Sequence, residues 1–370
     1  MTSGFEVKVR AAVLRAPGEA MQVEVICLRD LGPRDVRVRI DATGVCHSDL
    51  SLARGKLAQP VPAVLGHEAA GTVVAVGDEV DAAMVGTRVV LLWITPCGQC
   101  FYCLNGQRHL CANGSARAAE PHALDAGGGP VYPGLSVGSF AEQTVVPVDA
   151  VVPVPDGIQM HHAALLGCAV STGVGAALKA AKVTPGSSAL VLGLGGVGLS
   201  AIMGARIAGA KTIIAVDRNP EKRQMAEAVG ATDFLEAGDG LKAGVRKLTG
   251  GRGVDFAFDC VGSAATIRDA WTLARRGGSA CIVGIGGKKE TVSFNALELF
   301  HFARTLVGCV GGSVDVSREL GVFYDLIRTG QLDLEPLITG RARLGDVDAV
   351  FVELERGRSV RTILDPSAGN

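Results

Sequence analysis

The hydrophobic and polar positions follow two different periods along the chain. Residues 35–40 read Asp-Val-Arg-Val-Arg-Ile, an alternation that predicts a strand with one face exposed to water. The stretches 11–14, 71–77 and 87–92 are further predicted strands. We therefore expect the first part of the chain to form a β-rich domain.

After Cys168 the pattern changes to short, continuous apolar runs separated by helix-like segments such as 199–208. The apolar runs are 187–192, 212–217, 254–259 and 280–285. Such an alternation predicts a parallel sheet that helices cover on both faces. Beyond residue 313 a helix and a short strand at 360–364 are expected to return to the first domain. The predicted fold class is α/β, in two domains.

The composition limits the classes of partner. The 370 residues are 48% hydrophobic and 20% charged, with a formal net charge of -1, which argues against nucleic acid and anionic membranes as partners. Residues 1–10 lack a basic region followed by an apolar core, and no apolar run is long enough to span a membrane. We therefore expect a cytoplasmic location, where the ten cysteines are interpreted as metal ligands or core residues rather than disulfides.

Four closely spaced cysteines are the first candidate metal site. Cys97, Cys100, Cys103 and Cys111 can complete a tetrahedral sphere, which predicts a closed structural zinc site. The alternative is that they are buried apolar residues. The other cysteines that lie in apolar stretches, and are predicted to pack in the core, are Cys27, Cys260, Cys281 and Cys309.

A second metal site is expected around His67 and Glu68, which stand together between turn-forming glycines. With Cys46 and Cys168, His67 would supply two thiolates and one imidazole and leave a fourth position open, as in a catalytic zinc site. Glu68 is interpreted as a nearby acid or occasional ligand, and Asp49 as the group that orients the second nitrogen of His67. Taken singly, each of these residues could equally be packed in a core.

A glycine-rich turn indicates a dinucleotide. The hexad contains Gly193, Gly195, Gly196, Val197 and Gly198, follows a predicted strand and opens a helix. It allows a tight turn and a close approach of the pyrophosphate. Asp217, 24 positions after Gly193, would bind the ribose hydroxyls and repel a 2′-phosphate, which favours NAD. Arg218 and Lys222 are further cofactor-binding candidates, with a solvated surface charge as the alternative for each.

These motifs, in this order, resemble the zinc-dependent medium-chain alcohol dehydrogenases. The resemblance covers nearly the whole chain and is carried by Gly66-His67-Glu68-x2-Gly71-x5-Gly77, the four-cysteine lobe, Gly167-Cys168, the hexad with Asp217, and Val360-Arg361-Thr362-Ile363-Leu364. It implies a GroES-like catalytic domain with an inserted Rossmann domain and an active site between them. The implied ranges are 1–169 with a zinc lobe at 95–113, then 170–312, then a return over 313–370.

The resemblance also implies roles for single residues. It implies two zinc ions per chain and NAD as cofactors, with Ser48 as the hydroxyl that takes the alcohol proton. His47 and Arg361 would contact the cofactor pyrophosphate. The residues implied as substrate-pocket walls, each with core packing as the alternative, are Leu57, Trp93, Phe140 and Ile285. A homodimer or homotetramer would form near residues 299–312.

One position departs from the pattern of the family. Many relatives have a histidine three residues after the hydroxyl, at the end of a proton relay, and here that residue is Ser51. The relay would then end at water or at His47. The predicted reaction is reversible oxidation of an alcohol to an aldehyde or ketone. The long segment 112–138 also keeps a glutathione- or mycothiol-linked formaldehyde dehydrogenase open, and a non-catalytic nucleotide-sensing protein is the third alternative.

Overall fold

The computed structural model describes residues 7–367. Residues 1–6 and 368–370 lie outside the described residues. They are the ends of the predicted ranges 1–169 and 313–370, and residues 1–6 are part of the stretch 1–10 considered above. The strands are β1 Val7–Leu14, β2 Gln22–Leu28, β3 Asp35–Gly44, β4 Ala63–Val64, β5 Glu68–Val76, β6 Arg88–Leu91, β7 Ala123–Leu124, β8 Pro130–Pro133, β9 Gln143–Pro147, β10 Val151–Pro153, β11 Ser188–Leu192, β12 Thr212–Asp217, β13 Asp233–Glu236, β14 Val254–Asp259, β15 Ala274–Ile282, β16 Thr305–Gly308, β17 Ile338–Ala342 and β18 Arg361–Leu364. The α-helices are α1 His47–Ala53, α2 Phe101–Leu104, α3 Met160–Leu166, α4 Ala169–Gly175, α5 Gly196–Ile207, α6 Arg223–Val229, α7 Leu241–Leu248, α8 Ala264–Leu273, α9 Ala296–Phe302, α10 Val316–Arg328 and α11 Val347–Glu355.

The chain divides into two compact units. The first comprises the described residues of Met1–Cys168, the segment Asp315–Gly330 and the described residues of Ile338–Asn370. The second comprises Ala169–Val314 and Gln331–Leu337. The domain ranges given above remain a prediction.

The first unit is built from two β-layers that each enclose a core. One layer is a closed barrel in the order β1-β2-β7-β8-β4, and the other is a sheet in the order β10-β6-β5-β3-β18-β17, with β9 also paired to β3. Strands β7 and β8 come from the long segment 112–138, so this segment completes the barrel. Alternating side chains of the strands fill the two cores, which explains the charged and apolar alternation of β3.

The second unit is a six-stranded parallel sheet in the order β13-β12-β11-β14-β15-β16. This is the order of a doubly wound dinucleotide-binding fold, in which the strand order reverses beside the first strand, here β11. Leu190, Ile214 and Ala257 of its central strands are fully buried, as expected for a sheet covered on both faces. The predicted fold class, α/β with a β-rich domain and a parallel-sheet domain, is confirmed.

Among the described residues, no single helix is long and apolar enough to cross a membrane. Two consecutive segments, Met160–Leu166 and Ala169–Ala180, meet that criterion only when they are counted together.

Candidate metal centre and dinucleotide loop

Strand pairing gathers the candidate ligands at one end of the second β-layer of the first unit. Gly44, at the end of β3, is opposite Glu68, at the start of β5, and also opposite Ile363 of β18. Cys46 follows β3 and His67 precedes β5, so the two meet at this end although 21 residues separate them. Antiparallel pairing of β3 with β5 therefore brings Cys46 and His67 together, although they are far apart in the sequence.

Asp49 connects the two segments through hydrogen bonds that its buried carboxylate accepts. Its Oδ1 lies 2.9 Å from His67 Nδ1 and 3.0 Å from the Gly66 amide nitrogen. Its Oδ2 accepts from the Cys46 amide at 3.1 Å. With Nδ1 of His67 donating to Asp49, Nε2 is left as the lone-pair nitrogen that can bind a metal.

The donor atoms of Cys46, His67, Glu68 and Cys168 all lie within 4.8 Å of one another, and the four residues are buried. His67 Nε2 is buried and has no hydrogen-bond partner among the described residues. A buried polar atom without a partner is costly, and a metal ion would satisfy it. A hydrogen bond with Cys168 lowers the pKa of Cys46 well below its ordinary value against the effect of burial, and Arg361 acts in the same direction. The donor set therefore fits a zinc ion.

A buried ion pair adjoins this set. Arg361 Nε lies 2.8 Å from Glu68 Oε2 and its Nη2 lies 2.9 Å from Oε1, while Nη2 also lies 3.4 Å from Cys46 Sγ. Burial raises the pKa of Glu68 to about 7, although Arg361 opposes that rise. The structure thus places Arg361 against Glu68, a pairing that the sequence did not reveal because 293 residues separate the two.

The hydroxyl candidate and its neighbours lie on α1. Ser48 is half-buried, with its Oγ 3.9 Å from Cys46 Sγ, and His47 is exposed at the first position of the helix. Ser51 is half-buried one turn further on. Ser48 and Cys46 are therefore held close together by the start of one short helix.

Residues 139–140 support the loop that precedes His67, and the sequence did not indicate this role. Ser139 and Phe140 donate their amides to the carbonyl oxygens of Gly66 and Leu65. Gly66 has φ +91, and a Cβ there would lie 2.4 Å from the Phe140 ring, so only glycine fits. Thr43 and Ser139 form a buried hydroxyl pair at 2.7 Å beneath the same loop. The glycine before His67 was the one signal in the sequence.

The four substrate-pocket candidates occupy different environments. Phe140 is completely buried in the core that includes the barrel strands, and Leu57 packs against the same core. Trp93 is half-buried against the other core of the first unit. Ile285 belongs to the second unit, where its side chain is 63% exposed. Within the first unit, Phe140 and Leu57 therefore pack against one core and Trp93 against the other, and the role of all four as pocket walls remains a prediction.

The second cysteine cluster forms a compact lobe around the short helix α2. The sulfur atoms of Cys97, Cys100, Cys103 and Cys111 lie within 4.8 Å of one another. The Cys97 amide donates to Cys111 Sγ at 3.3 Å, and backbone amides of Gln99 and Cys100 lower the pKa of the Cys97 thiol to about 6. Four thiols converging in this way fit a closed zinc site with no open position.

The glycine hexad links β11 to α5 in the second unit. A Cβ at Gly198 would lie 1.9 Å from the carbonyl oxygen of Gly193, so the close return of the loop requires glycine. Within the part of the chain that is described, no side chain caps the first turn of α5, whose N-cap is Gly195. Uncapped amides at a helix N-terminus favour a phosphate, so the residues present fit a dinucleotide.

Asp217 ends β12 beside this loop. Its carboxylate accepts from the Leu194 amide at 2.8 Å and from the Asn219 amide at 2.9 Å, and it pairs with Lys222 at 3.2 Å. The carboxylate is thus held next to the glycine loop, with the ammonium group of Lys222 paired to it. Arg218 follows directly and is exposed.

Known proteins and protein families match nearly the whole chain. Residues 32–156 match the alcohol dehydrogenase GroES-like domain and residues 196–327 match the zinc-binding dehydrogenase domain. An S-(hydroxymethyl)glutathione dehydrogenase of Escherichia coli is 34% identical over 369 residues, covering 96% of this chain and 99% of the relative.

Two solved structures are also similar. An alcohol dehydrogenase zinc-binding domain protein from Burkholderia ambifaria is 31% identical with a TM-score of 0.92, covering 98% of this chain and 100% of the other. Benzyl alcohol dehydrogenase from Acinetobacter calcoaceticus is 28% identical with a TM-score of 0.90, with the same coverage of 98% and 100%.

The chain belongs to the zinc-binding medium-chain alcohol dehydrogenase family, with a GroES-like domain and a Rossmann-type zinc-dehydrogenase domain. The resemblance stated from the motifs is confirmed. The protein is a zinc-dependent oxidoreductase of this family, and the family implies small-molecule substrates.

Proposed function

We propose that this protein is an NAD-dependent zinc alcohol dehydrogenase that interconverts an alcohol with an aldehyde or ketone. The observation that carries the proposal is the buried set of Cys46, His67 and Cys168, in which His67 Nε2 has no partner among the described residues while Asp49 holds Nδ1. Three protein donors leave one coordination position for a substrate, which is typical of a catalytic rather than a structural zinc.

Each residue of the candidate site would have its own role in this reaction. Cys46, His67 and Cys168 would hold zinc, which when bound supplies a Lewis acid that lowers the pKa of an alcohol hydroxyl. Asp49 fixes the imidazole ring, and Arg361 neutralises Glu68 and stabilises charge on Cys46 Sγ. Ser48 Oγ takes the proton of the substrate and passes it toward solvent. With Ser51 in place of a histidine, we expect water or the exposed His47 to complete this transfer.

The second unit would bind NAD through the hexad. The amides of Gly196, Val197 and Gly198 at the start of α5 would hold the pyrophosphate, and NAD when bound would supply the hydride acceptor. Asp217 would bind the adenosine ribose and disfavour a 2′-phosphate, with Lys222 and Arg218 beside it. His47 and Arg361 are further candidates for pyrophosphate contacts. Arg361 would do this only if it released part of its pairing with Glu68.

A second candidate function is dehydrogenation of a thiol adduct of formaldehyde. It is favoured by the 34% identity to the S-(hydroxymethyl)glutathione dehydrogenase of Escherichia coli, over nearly the full length of both chains. An apolar alcohol is favoured instead by the half-buried Leu57 and Trp93, together with the benzyl alcohol dehydrogenase likeness.

One set of assays separates these functions. Initial rates with NAD would be compared for benzyl alcohol, for short alcohols, and for formaldehyde with and without glutathione or mycothiol. Turnover of simple alcohols without any thiol supports the first proposal, whereas a strict requirement for a thiol supports the second. Zinc-loaded protein that binds NAD and turns over none of these substrates would support the non-catalytic alternative.

Assembly and location are part of the proposal. Strand β16 is the edge of the parallel sheet, and Leu306 on it and Phe300 on α9 are 47% and 84% exposed. An exposed apolar edge strand is a template for pairing with another chain. We propose a homodimer or homotetramer formed there, in the cytoplasm, and size-exclusion chromatography with light scattering would measure its mass.

A further inference from the structure

Three cysteines of the second unit lie at the carboxyl edge of its parallel sheet. Cys281 is on β15, where it pairs in register with Phe258 of β14 and Val307 of β16. Cys260 and Cys309 stand two residues further along the neighbouring chains. Because side chains alternate along a strand, the three thiols are on one face, with Cys281 in the middle.

The ladder continues through both flanking cysteines. The Cys309 amide donates to the Ile282 carbonyl at 2.9 Å, and the Cys260 amide donates to the Leu192 carbonyl at 2.9 Å. Cys281 and Cys309 are 1% and 8% exposed, and Val310, the next residue, is 46% exposed. The pair is therefore sheltered, but it lies immediately below the surface.

We propose that Cys281 and Cys309 are a redox-active dithiol, which hydroperoxides oxidise to a reversible disulfide that weakens dinucleotide binding. The disulfide stands independently of the function proposed above, whereas its effect on the dinucleotide rests on that function. Six of the ten cysteines belong to the two candidate zinc sites, and the function proposed above uses neither Cys281 nor Cys309.

The environments of the two thiols shift their pKa values in opposite directions. Oxidation to a disulfide needs such a difference, because one thiol must react with the peroxide first. A hydrogen bond from Cys281 lowers the pKa of Cys309 against burial, with help from the Gly312 amide and the Ser313 side chain. The pKa of Cys281 is raised by that same hydrogen bond and by burial. Cys309 is therefore the better nucleophile and Cys281 the resolving thiol.

The chemistry balances with a hydroperoxide as the oxidant. The Cys309 thiolate attacks the peroxide oxygen and becomes a sulfenic acid as hydroxide leaves. Cys281 then attacks that sulfur, the S–S bond forms and water leaves. Two thiols are oxidised for each hydrogen peroxide reduced to two water molecules, and a dithiol reductant reverses the step.

The backbone around Cys309 explains why the bond would affect binding. Diagonal neighbours on adjacent strands are about 7–8 Å apart, at or beyond the Cα separation a disulfide spans. Formation of the bond would therefore draw Cys309 toward Cys281 and disturb the turn Gly311–Ser313, whose three residues all have positive φ and whose Gly312 packs closely against the Ser171 carbonyl oxygen. This turn lies at the carboxyl edge, where open α/β sheets bind their ligands.

Cys260 offers the matched comparison. Burial raises the pKa of its thiol well above the ordinary value. The chain after it is fixed, since the amides of Val261 and Gly262 donate to the Asp259 carboxylate at 3.2 and 3.0 Å. It shares the diagonal placement of Cys309 but lacks the hydrogen bonds that lower the pKa of the Cys309 thiol.

Peptide mapping of the full-length, zinc-loaded protein tests the disulfide. The protein would be treated with one equivalent of hydrogen peroxide, alkylated, digested without reduction and analysed by mass spectrometry, with zinc release followed by a chromogenic chelator. We expect a cross-linked Cys281–Cys309 peptide, lighter by two hydrogen atoms, that disappears after dithiothreitol treatment. Zinc should stay bound. A cross-link through Cys260, or zinc release before any cross-link, would overturn the proposal.

Variants and a binding titration test the consequence. Cys281→Ser and Cys309→Ser should each abolish the cross-link, and Cys260→Ser should keep it; Cys309→Ala serves if Cys309→Ser fails to fold. NADH titration should show weaker binding by oxidised wild-type protein and unchanged binding by peroxide-treated Cys281→Ser. Equal NADH affinity before and after oxidation would refute the regulatory part. Absence of NADH binding by the reduced protein would instead refute the proposed function and leave the mapping result valid.

Discussion

Asp49 Oδ1 lies 2.9 Å from His67 Nδ1, and both side chains are about 1% exposed. The same carboxylate accepts the amides of Cys46 and Gly66, so one buried group fixes both segments that carry the candidate zinc ligands. Asp49 is therefore expected to orient the candidate metal ligands. Zinc affinity distinguishes this role from a role in folding.

The first prediction concerns this carboxylate. Asp49→Asn keeps the size of the side chain but removes the charge that makes Nδ1 the donor and Nε2 the metal-binding nitrogen of His67. Zinc affinity should fall by about 10-fold to 100-fold, the usual effect of losing such a partner. Chelator competition would measure it. Asp149→Asn, at a carboxylate that is 51% exposed, should leave the affinity unchanged. Equal affinities in both variants would contradict the orienting role.

The second prediction concerns the buried pair of Arg361 and Glu68. Removing one partner leaves a buried charge without its counterpart, so Arg361→Gln should lower the free energy of unfolding by about 3–5 kcal/mol. Urea denaturation of zinc-loaded protein would measure the change. Arg361→Gln combined with Glu68→Gln should cost less than Arg361→Gln alone. Arg54→Gln, which breaks a half-exposed pair with Glu355, should cost no more than about 1 kcal/mol.

The third prediction concerns the four-cysteine lobe. Cys100→Ser removes one of four converging thiols from a site with no spare ligand, so the protein should lose one zinc ion per chain and keep the other. Metal analysis by plasma mass spectrometry would give the stoichiometry. Cys27→Ser, at a half-buried cysteine of β2 outside both clusters, should retain both ions. If Cys100→Ser also kept both, the lobe would not be a zinc site.

The fourth prediction concerns the choice of dinucleotide. The Leu194 amide donates to Oδ2 of Asp217 and the Asn219 amide donates to Oδ1, so Asp217→Asn keeps an oxygen for one of the two amides and removes the negative charge that would face a 2′-phosphate. The ratio of kcat/KM for NADP to that for NAD should rise by about tenfold, equivalent to about 1.4 kcal/mol. Asp233→Asn, on the neighbouring strand β13, should leave the ratio unchanged. A ratio that Asp217→Asn does not move would assign cofactor choice elsewhere.

The fifth prediction concerns His122, which burial holds neutral. Its side chain is 2% exposed, and burial lowers its pKa from 6.5 to about 4, against the effect of a hydrogen bond with the Val131 carbonyl. Well above pH 6.5 the ring is neutral in both the folded and the unfolded state. Below that, the unfolded chain binds the proton first, so the free energy of unfolding falls as the pH drops toward 4, by up to about 3 kcal/mol from this residue. His122→Gln should lack this part of the loss in urea titrations at pH 7.5 and pH 5. Parallel losses in the two proteins would contradict it.

The sequence by itself determined the fold class and the family, and it indicated which kinds of site the chain carries. The alternation in β3 and the continuous apolar runs of β11, β12 and β14 gave the two kinds of sheet, because strand period and burial are local properties. The spacing of the four lobe cysteines and of the glycine hexad gave a metal site and a nucleotide loop, because their partners lie within a few residues of one another.

Tertiary structure alone decided which distant groups act together. The pairing of Gly44 with both Glu68 and Ile363 brings Arg361 against Glu68 and Cys46, and no local pattern encodes a register between strands so far apart. The support of Gly66 by Ser139 and the diagonal placement of Cys309 beside Cys281 have the same origin. Long-range strand pairing is fixed by packing over a whole sheet, and therefore only the folded chain shows it.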